Sequence, residues 1–162
     1  MIKLFISTLI IFVLTSCGGT IKKENIDTSK IISPSDNADN KIKQLDSIYQ
    51  SAVHVDTSLA VFKTDADQQK LFDAYSTFLQ DFGKFLKQKD YTWGQETKCW
   101  NRLYFDKDGS VDYYIYNFKS QIEKTKEEQF KLLFAEYIMT HKINITADKK
   151  FAQCSPVTYR DN

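Results

Sequence analysis

The chain has 162 residues with 22 basic and 21 acidic side chains, and it is 42% hydrophobic and 14% aromatic. Near neutrality excludes the net positive field that draws a polyanion and releases its counterions, so nucleic acid is not an expected partner. Length and composition suit one globular domain of modest size, with core material supplied by nine Tyr, twelve Phe and two Trp.

The N-terminus carries a single cation, Lys3, the apolar run Leu4 to Leu14, and then Leu14-Thr15-Ser16-Cys17-Gly18-Gly19. The run is about half of the ~20 residues needed to span hydrocarbon. This arrangement resembles the signal peptide and lipobox of bacterial lipoproteins. The resemblance implies cleavage after residue 16, a diacylated thiol on Cys17 and a membrane anchor through that lipid. Loss of residues 1–16 removes Lys3 and leaves 21 basic against 21 acidic residues, without a polybasic second signal for the bilayer. Residues 17–40, rich in Ser, Asn, Asp and Lys, read as the lipidated cysteine and a flexible tether.

The globular domain is expected over residues 41–162. A helix is predicted over 41–53, where Ile42, Leu45, Ile48, Tyr49 and Ala52 share a face. Residues 54–64 read as irregular, with a short extended piece at 59–62. A second helix is predicted over 65–89, capped from the Thr64 to Asp67 stretch and carrying the stripe Leu71, Phe72, Tyr75, Phe78, Leu79, Phe82, Phe85 and Leu86. Its other face mixes Asp and Gln with Lys, which favours core packing over a membrane surface.

From Cys99 to Phe118 the pattern predicts a β-hairpin turning at Asp106-Lys107-Asp108-Gly109. Placing Asp106 opposite Ser110 pairs Phe105 with Val111, Leu103 with Tyr113 and Asn101 with Ile115. Trp100, Arg102 and Tyr104 then share the other face with Asp112, Tyr114 and Tyr116. A third helix is predicted from Thr125, capped in the T-x-x-E pattern with Glu128, along Phe130, Leu133, Phe134, Tyr137 and Ile138 to His141. Residues 155–160 read as a third strand starting near Pro156. The expected fold is α+β: two N-terminal helices followed by a ββαβ unit with a small, mainly antiparallel sheet.

The order strand, tight turn, strand, helix, strand over 97–160, carried by Arg102-Leu103-Tyr104-Phe105-Asp106-Lys107-Asp108-Gly109-Ser110-Val111, resembles the C-terminal domain of TonB-type energy transducers. A lipobox stands in place of their transmembrane helix and the proline-rich spacer is missing. The resemblance therefore implies an interaction domain without energy transduction. The Lys/Asn/Ile-rich composition and the Ser-Cys-Gly-Gly start are similar to envelope lipoproteins of Bacteroidetes-type bacteria. In those, surface export tends to follow an acidic run after the cysteine. Gly18-Gly19-Thr20-Ile21-Lys22-Lys23 lacks one, which implies an outer-membrane anchor facing the periplasm.

With Cys17 assigned to lipid, Cys99 and Cys154 form an even pair in a compartment that permits disulfides. A third strand lying antiparallel beside the first separates the two sulfurs, whereas another strand order or a loop that doubles back joins them, and the sequence leaves both open. No metal site is expected: His54 and His141 lack zinc spacing, and the Asp106–Asp112 stretch lacks the calcium-loop Gly and Glu positions. His141 reads as a helix-end residue. No nucleophile motif is present and no cofactor is implied.

The mixture of Trp100, Arg102, Tyr104, Tyr114 and Tyr116 suits a recognition surface, unless the first long helix covers it. The expected function is a non-enzymatic, membrane-anchored module that binds an envelope protein or the cell wall. Glycan or small-molecule binding by the same aromatics is the alternative, followed by a hydrolase without an identifiable site.

Overall fold

The structure, a computed structural model, describes residues 26–161. The expected signal peptide, Cys17 and residues 18–25 of the expected tether lie outside the described residues. Among the described residues the fold is α+β, with three α-helices and one five-stranded sheet. The centre of the sheet is antiparallel: β3 (Thr97–Phe105) lies between β4 (Val111–Phe118) and β5 (Phe151–Tyr159). Two short strands, β1 (Ile31–Ile32) and β2 (Gln50–Ser51), lie parallel to β4 and β5 at the two edges. These edge strands make the arrangement differ from the expected one.

Both edge strands come from segments read differently in the sequence. Residues 26–40 are not tether. Ile31 and Ile32 are buried, Tyr114 donates its N–H to the Lys30 carbonyl at 2.9 Å, and a 3-10 turn at Pro34–Asp36 leads into α1 (Ala38–Asp46). That helix stops well short of Val53. Past Ser47 the chain exchanges helical bonds for sheet bonds, with Gln50 donating to Lys150 at 3.1 Å and Ala52 to Ala152 at 2.8 Å. Tyr49 and Ala52 are buried by this route, while Ile48 is left 64% exposed.

The long helices follow their stripes. In α2 (Asp65–Gln88) the Thr64 hydroxyl accepts from the Asp67 N–H at 3.1 Å, and Leu71, Tyr75, Phe78, Phe82 and Leu86 are buried. In α3 (Lys124–Thr140) the expected Thr125 cap is not formed: the N-cap is Glu123, without a side-chain cap bond, and Thr125 sits inside the first turn. Phe82 meets Phe130, Phe134 and Tyr137 at ring distances of 5.7, 4.7 and 5.2 Å, which locks α2 to α3. Each such ring contributes roughly 2 kcal/mol by leaving water. Phe78 packs on Phe105 and Phe134 stacks on Tyr114 at 3.9 Å. Both long helices therefore lie on one face of the sheet.

The hairpin turn forms as expected, with Asp106 and Ser110 paired and Gly109 at φ 84°. The register beyond it does not. Phe105 pairs with Val111, but Tyr104 pairs with Tyr113, so Asp112 is an extra, bulged residue on β4. Leu103 then faces Tyr114 and Asn101 faces Tyr116. A one-residue slip moves every later side chain of β4 to the opposite face.

Candidate functional site

That slip divides the expected aromatic face. Tyr114 and Tyr116 lie under the long helices, 0% and 1% exposed. Trp100, Arg102 and Tyr104 remain on the far side. Tyr104 is also covered, by α1: with Leu45, Tyr49, Ile32, Ile115 and Ala152 it forms a second small core. Arg102 fastens that helix rather than meeting solvent. Its guanidinium donates to Asp46 at 2.6 Å and to the Tyr104 hydroxyl at 2.8 Å, and that hydroxyl donates to Asp46 at 3.0 Å.

Beyond α1 this face is open. Lys98, Cys154, Pro156 and Thr158 are exposed, and Trp100 is half-buried between its strand neighbours Asn117 and Pro156. The two tryptophans contrast sharply. Trp93 contacts the rings of Tyr91, Phe118, Phe130 and Tyr159. Trp100 makes no ring contact and no side-chain hydrogen bond with any described residue. It presents free indole surface on a rigid, central strand, and the candidate site is this open half of the sheet.

The outer edge of β5 borders the same surface. β2 pairs with β5 only at Phe151 and Ala152, so no described strand lies against residues 153–159. The Ala152 carbonyl points outward, accepting from Ala52, and by alternation so do the backbone groups of Cys154, Pro156 and Thr158. Pro156 removes the donor at the middle of this edge. Such a gap keeps an exposed strand from templating another chain. Pro156→Thr is expected to lower the concentration at which the protein self-associates, measured by light scattering after size-exclusion chromatography; unchanged association refutes the guard.

The two cysteines are free, and no bridge joins them. Cys99 pairs with Val157 and Cys154 with Arg102, which puts the thiols on opposite faces of the sheet. Cys99 belongs to a buried polar cluster: its thiol donates to Asn101 Oδ1 at 3.1 Å, Tyr114 donates to the same oxygen at 2.8 Å, and Asn101 Nδ2 donates to the Tyr159 hydroxyl at 3.1 Å. Burial pushes the Cys99 thiol up to about 12. Cys154 is exposed.

The acidic turn is neutralised by lysines. Lys150 bridges Asp106 at 3.1 Å and Asp112 at 2.9 Å, Tyr49 donates to Asp112 at 2.7 Å, and Lys142 pairs with Asp108. The Lys142 ammonium and the Ser110 hydroxyl hold the Asp108 carboxyl well below the usual carboxylate range. His141 caps α3, stacked on Tyr137 at 4.1 Å, and His54 lies in an exposed loop beside Asp56. Among the described residues no group of three or more His, Cys, Asp or Glu is placed to hold a metal, and no helix is long and apolar enough to cross a membrane. Open depressions of about 280, 530 and 390 Å³ lie elsewhere, at residues 34–35 with 117–127, at 108 with 142–146, and at 95–96 with 120–123. Trp100 lines none of them.

Sequence reasoning missed β1, β2 and the Asp112 bulge. The β-branched pair Ile31-Ile32 is the one local signal for β1. Comparison with known proteins adds no relative: no family model, no curated protein and no solved structure matches the chain.

Proposed function

We propose that this protein is a lipid-anchored envelope module that recruits a protein or cell-wall partner through the open half of its sheet. The observation that carries the reading is Trp100: a large amphipathic side chain, half-buried and without a ring contact or side-chain hydrogen bond among the described residues, beside Pro156 and the exposed Lys98 and Thr158. Aromatic residues of this kind dominate binding energy at interfaces. A flat platform suits a macromolecular surface better than a small ligand, which needs a concave site to bury most of its area. In this reading the lipid is on Cys17 and the domain faces the periplasm. The β3–β4–α3–β5 unit serves as a TonB-like interaction domain without energy transduction.

Trp100→Ala is expected to weaken capture of the partner about 30-fold or more, as an interface hot spot does, while leaving the melting temperature within ~2 °C because the half-buried indole has no ring contact and no hydrogen bond to lose. Site-specific photocrosslinking in living cells from position 100, compared with position 72 on the helix side, checks the surface. A discrete adduct from position 100 alone supports the reading; equal yields from both positions oppose it. Quenching of Trp100 fluorescence by soluble sugars shifts the partner class to glycans.

A further inference from the structure

The folding of residues 26–40 into the domain leaves little chain between anchor and fold. Cys17 and Ile26 are nine residue steps apart, a reach of at most about 30 Å. If the lipid-anchor reading above holds, as this inference requires, one side of the domain faces the bilayer at close range. That side is set by where the chain joins the fold.

The chain enters through Ile26, which packs on the main core, and pairs five residues later as β1 along β4. Helix α3 borders β1: Lys131 on this helix bonds Asp36 at 2.9 Å, and Ala135, one turn on, is 2% exposed. About a quarter turn around α3 from this seam are Leu132 and Met139. They are seven residues apart, hence on one side of the helix, and are 47% and 59% exposed. Among the described residues, the other large exposed apolar side chains lie elsewhere: Ile48, Val55 and Leu59 in the segment after α1, and Phe72 on α2.

We propose that α3 rests on the lipid surface through Leu132 and Met139, which directs Trp100, on the opposite face of the sheet, away from the membrane. Two side chains are too few to hold a free protein on a bilayer. A short tether changes this by making the contact intramolecular, at an effective concentration on the order of millimolar. The contact is apolar rather than basic. It therefore needs no anionic lipid and resists salt.

The test uses the mature chain acylated on Cys17, reconstituted in phosphatidylcholine vesicles. A nitroxide is attached either to the native Cys154 or, in a Cys154→Ser background, to Met139→Cys; the buried Cys99 is out of reach. On joining vesicles, the oxygen-to-nickel accessibility ratio is expected to rise at position 139 and to stay unchanged at 154. Leu132→Glu in the labelled 139 variant should return the ratio to its aqueous value. Aqueous values at both positions in protein that still floats with the vesicles overturn the docking and leave the anchor standing. Failure to float overturns both. A lipid-phase value at 154 with an aqueous one at 139 refutes the orientation.

Discussion

Gly109→Val is expected to cost about 3–5 kcal/mol, a large share of the ~5–15 kcal/mol that holds such a domain together. Two effects add. At φ 84° a β-branched residue occupies a backbone region that costs roughly 1–2 kcal/mol. The larger effect is contact. A Cβ at this position would stand 2.4 Å from the Ile143 carbonyl oxygen and 2.9 Å from that of Ile145. Neither atom can swing aside as a flexible side chain does. The loop after α3 must retreat, and the bond from the Ile143 N–H to the Gly109 carbonyl, 3.0 Å, is lost with it. Gly109→Ala should already carry most of the loss, because the first carbon makes the clash. Urea denaturation of both variants measures this; a valine variant within 1 kcal/mol of the parent would show that the loop is not packed on the turn.

The turn itself was legible, since Asp106 and Gly109 are the residues such a turn requires. The loop lying on it was not, because nothing in residues 143–147 specifies contact with a hairpin formed over thirty residues earlier. The same division runs through the fold. The stripes of α2 and α3 encode their own buried faces, as does the Thr64 cap, because helix periodicity is written over several turns. The capping pattern at Thr125 was misleading: Glu123 starts the helix two residues earlier, and local capping preference is weak against tertiary placement.

The site was legible in composition and not in geometry. From Tyr113 to Tyr116, β4 is apolar at both parities, so alternation cannot say which residues face the helices. Turn geometry alone set the expected register, and the bulge at Asp112 then reversed it. Bonds distant in sequence bear on the bulged carboxylate: Lys150 at 2.9 Å and Tyr49 at 2.7 Å both hold Asp112 on the solvent side. Trp100 alone among the expected aromatics keeps an open surface. Its parity was read correctly because β3 carries Lys98 and Arg102 on one side and Cys99, Asn101 and Leu103 on the other.

Asn101→Leu is expected to destabilise the domain by about 3–4 kcal/mol although leucine is similar in size. Asn101 is fully buried at the centre of β3, and its amide is the common partner of three groups. Leucine removes the acceptor of the Tyr114 hydroxyl and the donor to Tyr159, and a buried hydroxyl left unpaired costs roughly 1–3 kcal/mol. The Cys99 thiol is a weak donor and adds little. Its chemistry supplies the readout. In a Cys17→Ser background, Cys154 should react with a thiol reagent at once, while Cys99, buried and with its thiol pushed up to about 12, reacts only when the domain opens. A loss of 3–4 kcal/mol corresponds to about 10²–10³ times more frequent opening at equilibrium. The slow phase of thiol modification should accelerate by that factor in Asn101→Leu and remain unchanged in Trp100→Ala, whose ring has no buried partner to lose. An Asn101→Leu variant with wild-type protection of Cys99 would mean that the polar cluster contributes nothing to stability. The cluster would then be replaceable by apolar packing.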